Sequence, residues 1–104
     1  GVEELREFEG KLFILDEADM HGIWMKDMLI PIDILWFNDD LELVHFERNV
    51  KPETFPDSFG PDEPARFVLE MNAFFVDTLQ LQEGNRLIVP PELLPADVRE
   101  RLQE

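Results

Sequence analysis

Asp33-Ile34-Leu35-Trp36-Phe37-Asn38-Asp39-Asp40-Leu41-Glu42-Leu43-Val44 decides how the chain folds. Asp33–Phe37 is a short apolar run that predicts a strand. Asn38-Asp39-Asp40 then predicts a turn, because Asn and Asp bond their own backbone and tolerate positive φ. Leu41 and Leu43 alternate against Glu42, and the returning strand is expected over Leu41–Glu47. This is the strongest hairpin signal in the sequence. The alternation shifts near Val44–Phe46, which predicts either a bulge or burial of both faces.

Downstream, Arg48–Pro64 holds four of the eight prolines together with Gly60. Proline removes a backbone donor and fixes φ, so a long, stiffened loop is expected. Loops longer than about 12–15 residues are uncommon in compact domains and often functional. Arg66–Asn72 alternates, with Phe67, Leu69 and Met71 on one side, and predicts a half-buried strand. Ala73–Leu81 spaces Phe75, Val76 and Leu79 as a short helix stopped at Gly84. Arg86–Val89 predicts a last strand, broken by Pro90-Pro91. Pro95–Leu102 predicts a closing helix, with Asp97 early and Arg99 and Arg101 late, as the helix dipole favours.

Upstream, His21–Met28 predicts another strand and Asp16–Asp19 an acidic turn. Lys11–Leu15 predicts a first strand, and Val2–Phe8 a helical turn ending at Gly10. Five or six short strands, proline-rich turns and one or two short helices point to a mainly β domain, a sandwich or small barrel. The 104 residues suit one domain, and 44% hydrophobic content with nine Phe and two Trp suits a packed core.

The formal net charge is −15, from 24 acidic and 9 basic residues. Such a field repels a phosphate backbone and an anionic membrane surface, so no nucleic-acid partner is expected. It favours solubility and would attract cations or a basic partner. The chain has no Cys, which excludes disulfides and thiolate catalysis. No apolar run approaches the length of a membrane span, and no signal peptide is visible. Gly1 in place of Met leads us to expect that an upstream segment was removed.

Trp24-Met25-Lys26-Asp27-Met28-Leu29-Ile30-Pro31-Ile32-Asp33 resembles the signature of the Domain of Unknown Function family 192. Gly10-Lys11-Leu12-Phe13, Asn49 to Pro52, Val68-Leu69-Glu70-Met71-Asn72-Ala73 and Gly84 are similar to further family motifs in the same order. The resemblance spans residues 3–89 and leaves 90–104 as a C-terminal extension. It implies a β-sandwich of jelly-roll type, a bacterial or archaeal origin, and often export or a lipid anchor. It implies no established reaction. Three departures stand out. Lys11 replaces an apolar Met, Phe74 stands where the family usually has Gly, and the family's first strand has no counterpart before Val2. A missing strand would leave an open sheet edge. Either a homodimer or the C-terminal extension is expected to cover it.

Candidate ligand-binding residues are Trp24, Lys26, Asp27, Asp33, Asn49, Glu70 and Asn72. Trp24 and Lys26 share one strand parity and would offer a sugar ring or apolar ligand a platform beside a cation. Equally, Trp24 would be core and Lys26 paired with Asp27, Asp33 or Glu70. Asp27, Asp33 and Glu70 would serve glycoside hydrolysis or hold a hard cation if they converge, but Asp beside a proline turn often caps backbone instead. Asn49, Glu70 and Asn72 would satisfy loop backbone just as well. His21 and His45 lack the spacing of a zinc motif, and Ser58 lies in no nucleophile elbow. No Gly-rich phosphate loop or dinucleotide fingerprint occurs, so no cofactor is expected. The sequence therefore favours a non-catalytic module that binds a small molecule, a glycan or a protein. A carboxylate-based hydrolase, with or without a divalent cation, and an assembly subunit pairing through an open sheet edge are the alternatives.

Overall fold

The computed structural model of the chain describes residues 10–103 apart from His21, Asp27 and Pro56, and of Trp24 the backbone alone. The turn expected at Val2–Phe8 lies outside the described residues. Strands β1 (Gly10–Asp19), β2 (Ile23–Trp24), β3 (Ile32–Phe37), β4 (Leu43–Val50), β5 (Ser58–Phe59) and β6 (Ala65–Asn72) are followed by helices α1 (Phe75–Leu79) and α2 (Ala96–Leu102). The domain is mainly β. A four-stranded sheet runs in the order β1-β6-β3-β4, and β2 pairs with β5. All these pairings are antiparallel. The sheet is not closed into a barrel.

The hairpin forms where the sequence places it, but the turn distributes its strain differently. The Asn38 side-chain oxygen accepts the N–H groups of Asp40 at 2.9 Å and Glu42 at 3.0 Å. The positive φ falls on Leu41, at 63°, rather than on Asn or Asp. Leu41 is buried in the core, and that burial offsets the cost of a left-handed Leu. The shift at Val44–Phe46 is a bulge: Phe37 pairs with Leu43 but Trp36 pairs with His45, so two residues of β4 oppose one of β3.

Cross-strand partners share a sheet face, which sorts the core into two layers. Leu35 and Phe37 lie with Phe67 beneath Val76 of α1, Val98 of α2 and Val89. On the other face, Ile32, Ile34, Trp36 and Val68 pack with Met25, and against Ile23 and Phe59 of the β2–β5 pair. Both faces being covered, all six residues of β3 are buried.

Several expected boundaries move. β1 runs straight through the expected acidic turn at Asp16–Asp19. It returns to register with Asp19 opposite Ala65 after a slip, and Arg66 donates its Nε–H to the Leu15 carbonyl within that slip. Exposed acids suit this strand because it lies at the sheet edge. The strand expected over His21–Met28 contracts to two residues, since Met28 N–H turns back to the Met25 carbonyl at 3.2 Å. β4 extends through Val50, so the proline loop starts later than expected. β6 is not half-buried at its start: Ala65 to Val68 are all buried. Its two-letter alternation is real, but both faces are roofed. α1 stops at Gln80, itself left-handed at φ 55°, ahead of Gly84.

The strand expected over Arg86–Val89 does not form. Arg86 makes a single bridge with Glu42. The neighbouring bonds, Leu43 N–H to the Asn85 carbonyl at 2.7 Å and Leu87 N–H to the Leu41 carbonyl at 2.8 Å, seal only the start of the β4 edge. After Leu87 the chain leaves the sheet. Among the described residues, the outer edge of β1 has no strand beside it.

Candidate functional site

Asp33 is fully buried. Its Oδ1 accepts Asn49 N–H at 2.8 Å and its Oδ2 accepts Val76 N–H at 2.8 Å. Asn49 sits at φ 50° in a second bulge of β4, where Ile34 pairs with Glu47 and Ile32 with Val50. The bulge frees a backbone donor, and the Asp33 carboxylate takes it. Val76 N–H belongs to the first turn of α1, whose N-cap, Phe74, offers no side-chain acceptor. The same carboxylate therefore caps the helix. These bonds make the Asp33 side chain and the Asn49 backbone part of the scaffold.

Glu70 stands on the opposite face. Its cross-strand partner on β3 is Ile34, while that of Asp33 is Met71. The sheet therefore separates the two carboxylates that the sequence groups together. Asp27 lies outside the described residues. Among the described residues, no three of His, Asp and Glu gather as a metal cradle. His45 instead pairs with Glu47 at 2.7 Å and lies against the Trp36 ring, 5.3 Å between centroids. His21 lies outside the described residues.

Glu70 and Asn72 line a groove of about 200 Å3 at the joined ends of β1, β6 and β3. Lys11 is the cross-strand partner of Glu70 and lines the same groove, with Met28, Ile30, Ile32 and Met71. Gly10 forms its end and has a steric reason to be glycine. A Cβ there would collide with Met71 Sδ and stand 2.6 Å from the Glu70 carbonyl oxygen. Burial pushes the Glu70 carboxyl above the usual glutamate value, and the Lys11 charge offsets part of that rise. None of the described residues donates a hydrogen bond to this carboxylate.

Lys26 is exposed on the Met25–Met28 turn and is not among the groove's lining. Trp24 pairs with Ser58 through the backbone. Of the polar side chains that line this groove, the sequence singled out Glu70 and Asn72 but not Lys11. Its departure from the family's apolar Met was the available signal.

An antiparallel, mainly β domain with one groove-lining carboxylate on its edge-proximal face is thus the class of protein described. The chain belongs to the Domain of Unknown Function 192 family, described as "Uncharacterized ACR", whose sequence profile matches residues 1–89. Its fold is similar to a protein of unknown function from Novosphingobium aromaticivorans DSM 12444, at TM-score 0.70 and 27% identity, covering 75% of this chain and 55% of that one. It is also similar to a candidate transcription regulator from Sinorhizobium meliloti 1021, at TM-score 0.70 and 31% identity, covering 74% of this chain and 59% of that one. The chain thus spans little more than half the length of these two relatives. No curated protein matches it significantly. Among the described residues, no helix is long and apolar enough to cross a membrane.

Proposed function

We propose that the domain is a non-catalytic binding module whose site is the Lys11–Glu70 groove. The observation that carries this is Glu70 itself. It is a half-buried carboxylate, raised in pKa by desolvation, without a hydrogen-bond donor among the described residues, and set among Met28, Ile30, Ile32 and Met71. A carboxylate kept in apolar surroundings is a common mark of a functional site. The groove suits a small ligand with one apolar side and a cationic or hydroxyl-bearing end. The apolar side lies on Met28, Ile30 and Ile32, and the polar end meets Glu70 and Asn72. A small sugar meets this description, as does a compact amine. The scaffold is then a jelly-roll-type sandwich, with the four-stranded sheet faced by the β2–β5 pair.

A thermal-shift panel of small amines, mono- and oligosaccharides, small anions and divalent cations tests this. A ligand at 100 times its Kd adds about 2.7 kcal/mol, roughly 10–20 °C for a domain of this size. The expected result is a shift that disappears in Glu70→Ala. If no amine or sugar shifts the melt, or the shift survives Glu70→Ala, the groove is not the site.

A carboxylate-dependent hydrolase stands second, on one observation: a raised glutamate in a cleft is what a general acid requires. Asp33 is turned to the other face, which leaves Asp27 of the carboxylates the sequence groups with Glu70. Turnover of a chromogenic glycoside that is lost in both Glu70→Gln and Asp27→Asn supports it, and turnover unchanged in either rejects it.

A further inference from the structure

On the sheet face away from Glu70, α1 and the segment after it leave an apolar cleft of about 240 Å3. Its walls include Leu35, Phe37, Leu69, Phe75, Leu79 and Ile88. Leu79 is 44% exposed and Ile88 91% exposed. A nearly bare isoleucine at the rim of an apolar cleft is what an amphiphile's chain would cover. The polar part of the rim is one-sided in its chemistry. Arg86 and Asn85 line the cleft. The Asn85 side-chain oxygen accepts Gln82 N–H at 2.8 Å, and its amide N–H groups remain available as donors. Arg48, Arg66 and Arg101 are each paired with an aspartate, whereas none of the described residues pairs with the Arg86 guanidinium.

We propose that this cleft binds a free single-chain amphipathic monocarboxylate. Its hydrocarbon chain lies between α1 and Ile88, and its carboxylate lies on the Arg86 guanidinium and the Asn85 amide. Among the described residues that line the cleft, Arg86 carries the one full charge, and it is positive, so an anionic head fits it better than an ammonium head does. The chain's charge of −15 is largely screened beyond the Debye length of about 8 Å, and Glu42, across the bridge from Arg86, is the nearby acid that direct contact with the guanidinium has to outweigh. This site is independent of the Lys11–Glu70 groove, from which the sheet separates it.

Isothermal titration below the critical micelle concentration, with sodium octanoate, decanoate and dodecanoate, tests the proposal. Decanol and decylammonium serve as head-group controls. Saturable binding of decanoate is expected, tightening roughly fourfold per methylene until the cleft is full. Decanol and decylammonium are expected to bind at least about tenfold more weakly, and Arg86→Ala to weaken decanoate by a similar factor. Leu79→Asp, at an exposed helix position, abolishes binding while circular dichroism stays unchanged, and Glu70→Ala leaves it intact. Equal binding of all three head groups overturns the proposal, as does full affinity in Arg86→Ala or the absence of saturable binding. Co-sedimentation of the protein with phosphatidylglycerol vesicles, without free amphiphile, assigns the surface to membranes and also overturns it.

Discussion

The Asp33 carboxylate accepts the backbone N–H of Val76 at 2.8 Å, across 43 residues of sequence. With its other oxygen on Asn49 N–H, it ties the central strand to a bulge on one side and a helix start on the other. Asp33→Ala leaves both donors without their partner, at about 1–3 kcal/mol each. We therefore expect a loss of about 2–6 kcal/mol in urea denaturation. Asp33→Asn keeps one acceptor and sets an N–H2 against the second donor, so it should also destabilise, but less than Asp33→Ala.

Phe74 adopts φ 76° and is 60% exposed. A left-handed non-glycine costs about 1–2 kcal/mol, and glycine returns about half of that as lost chain entropy. Phe74→Gly is expected to stabilise the domain by about 0.5–1 kcal/mol, or roughly 2–8 °C in Tm. An unchanged or lower Tm would mean that the ring contributes more packing than its exposure suggests.

Arg66 is almost fully buried and grips Asp97 of α2 at 2.9 and 3.0 Å, with Asp39 of the hairpin turn at 3.2 Å. Arg101 adds Asp40 at 3.3 Å and the Asp39 carbonyl. The hydrogen bond from Arg66 holds the Asp97 carboxyl below the usual aspartate value of 3.8, and the Asp97 bond in turn holds the guanidinium pKa up. A folded-state pKa below the unfolded one contributes stability that is present above the unfolded value and lost as pH falls through the folded one. Asp97→Asn should therefore lower Tm at pH 7, and the gap from the parent should close as pH drops below about 3.8. A gap that persists in strong acid would show that packing of α2, not the ion pair, is what was lost.

Glu70 has the opposite sign. Its pKa is raised by burial above the ordinary 4.5, so the folded state binds the proton more tightly. Stability then falls as pH rises from 4.5 through the raised value. Glu70→Gln is expected to raise Tm at pH 7 and to match the parent at pH 4. The Lys11 charge works against this, and Lys11→Met should push the carboxyl higher still, measurable by 13C NMR of the side chain.

The hairpin around Asn38, the helices near Phe75 and Ala96, and the family signature were all legible, because each rests on neighbours in sequence. What was not legible depends on register. Asp33 and Glu70 look like one carboxylate set until the pairings of Asp33 with Met71 and Ile34 with Glu70 put them on opposite faces. Arg86–Val89 has strand-like residues, yet it lies where the β4 edge needs only one bridge. The acids of Asp16–Asp19 read as a turn because nothing local says that Ala65 waits opposite Asp19. Lys11 looked like a mere deviation until β1 set it across from Glu70.

The strand order β1-β6-β3-β4 also governs the sequence of events by which the chain assembles. β3 and β4 are joined by a tight turn and can zip together within microseconds. β6 is made later and must enter between two strands already present, closing a long connection before any of its ladder bonds reward it. During synthesis β1 and β3 therefore wait with a vacant lane between them, each presenting an unsatisfied edge to its surroundings. Refolding should show a fast hairpin phase followed by a slower, cooperative one that belongs to β6. The interval between them is when this protein is most exposed to joining its strands with those of another copy.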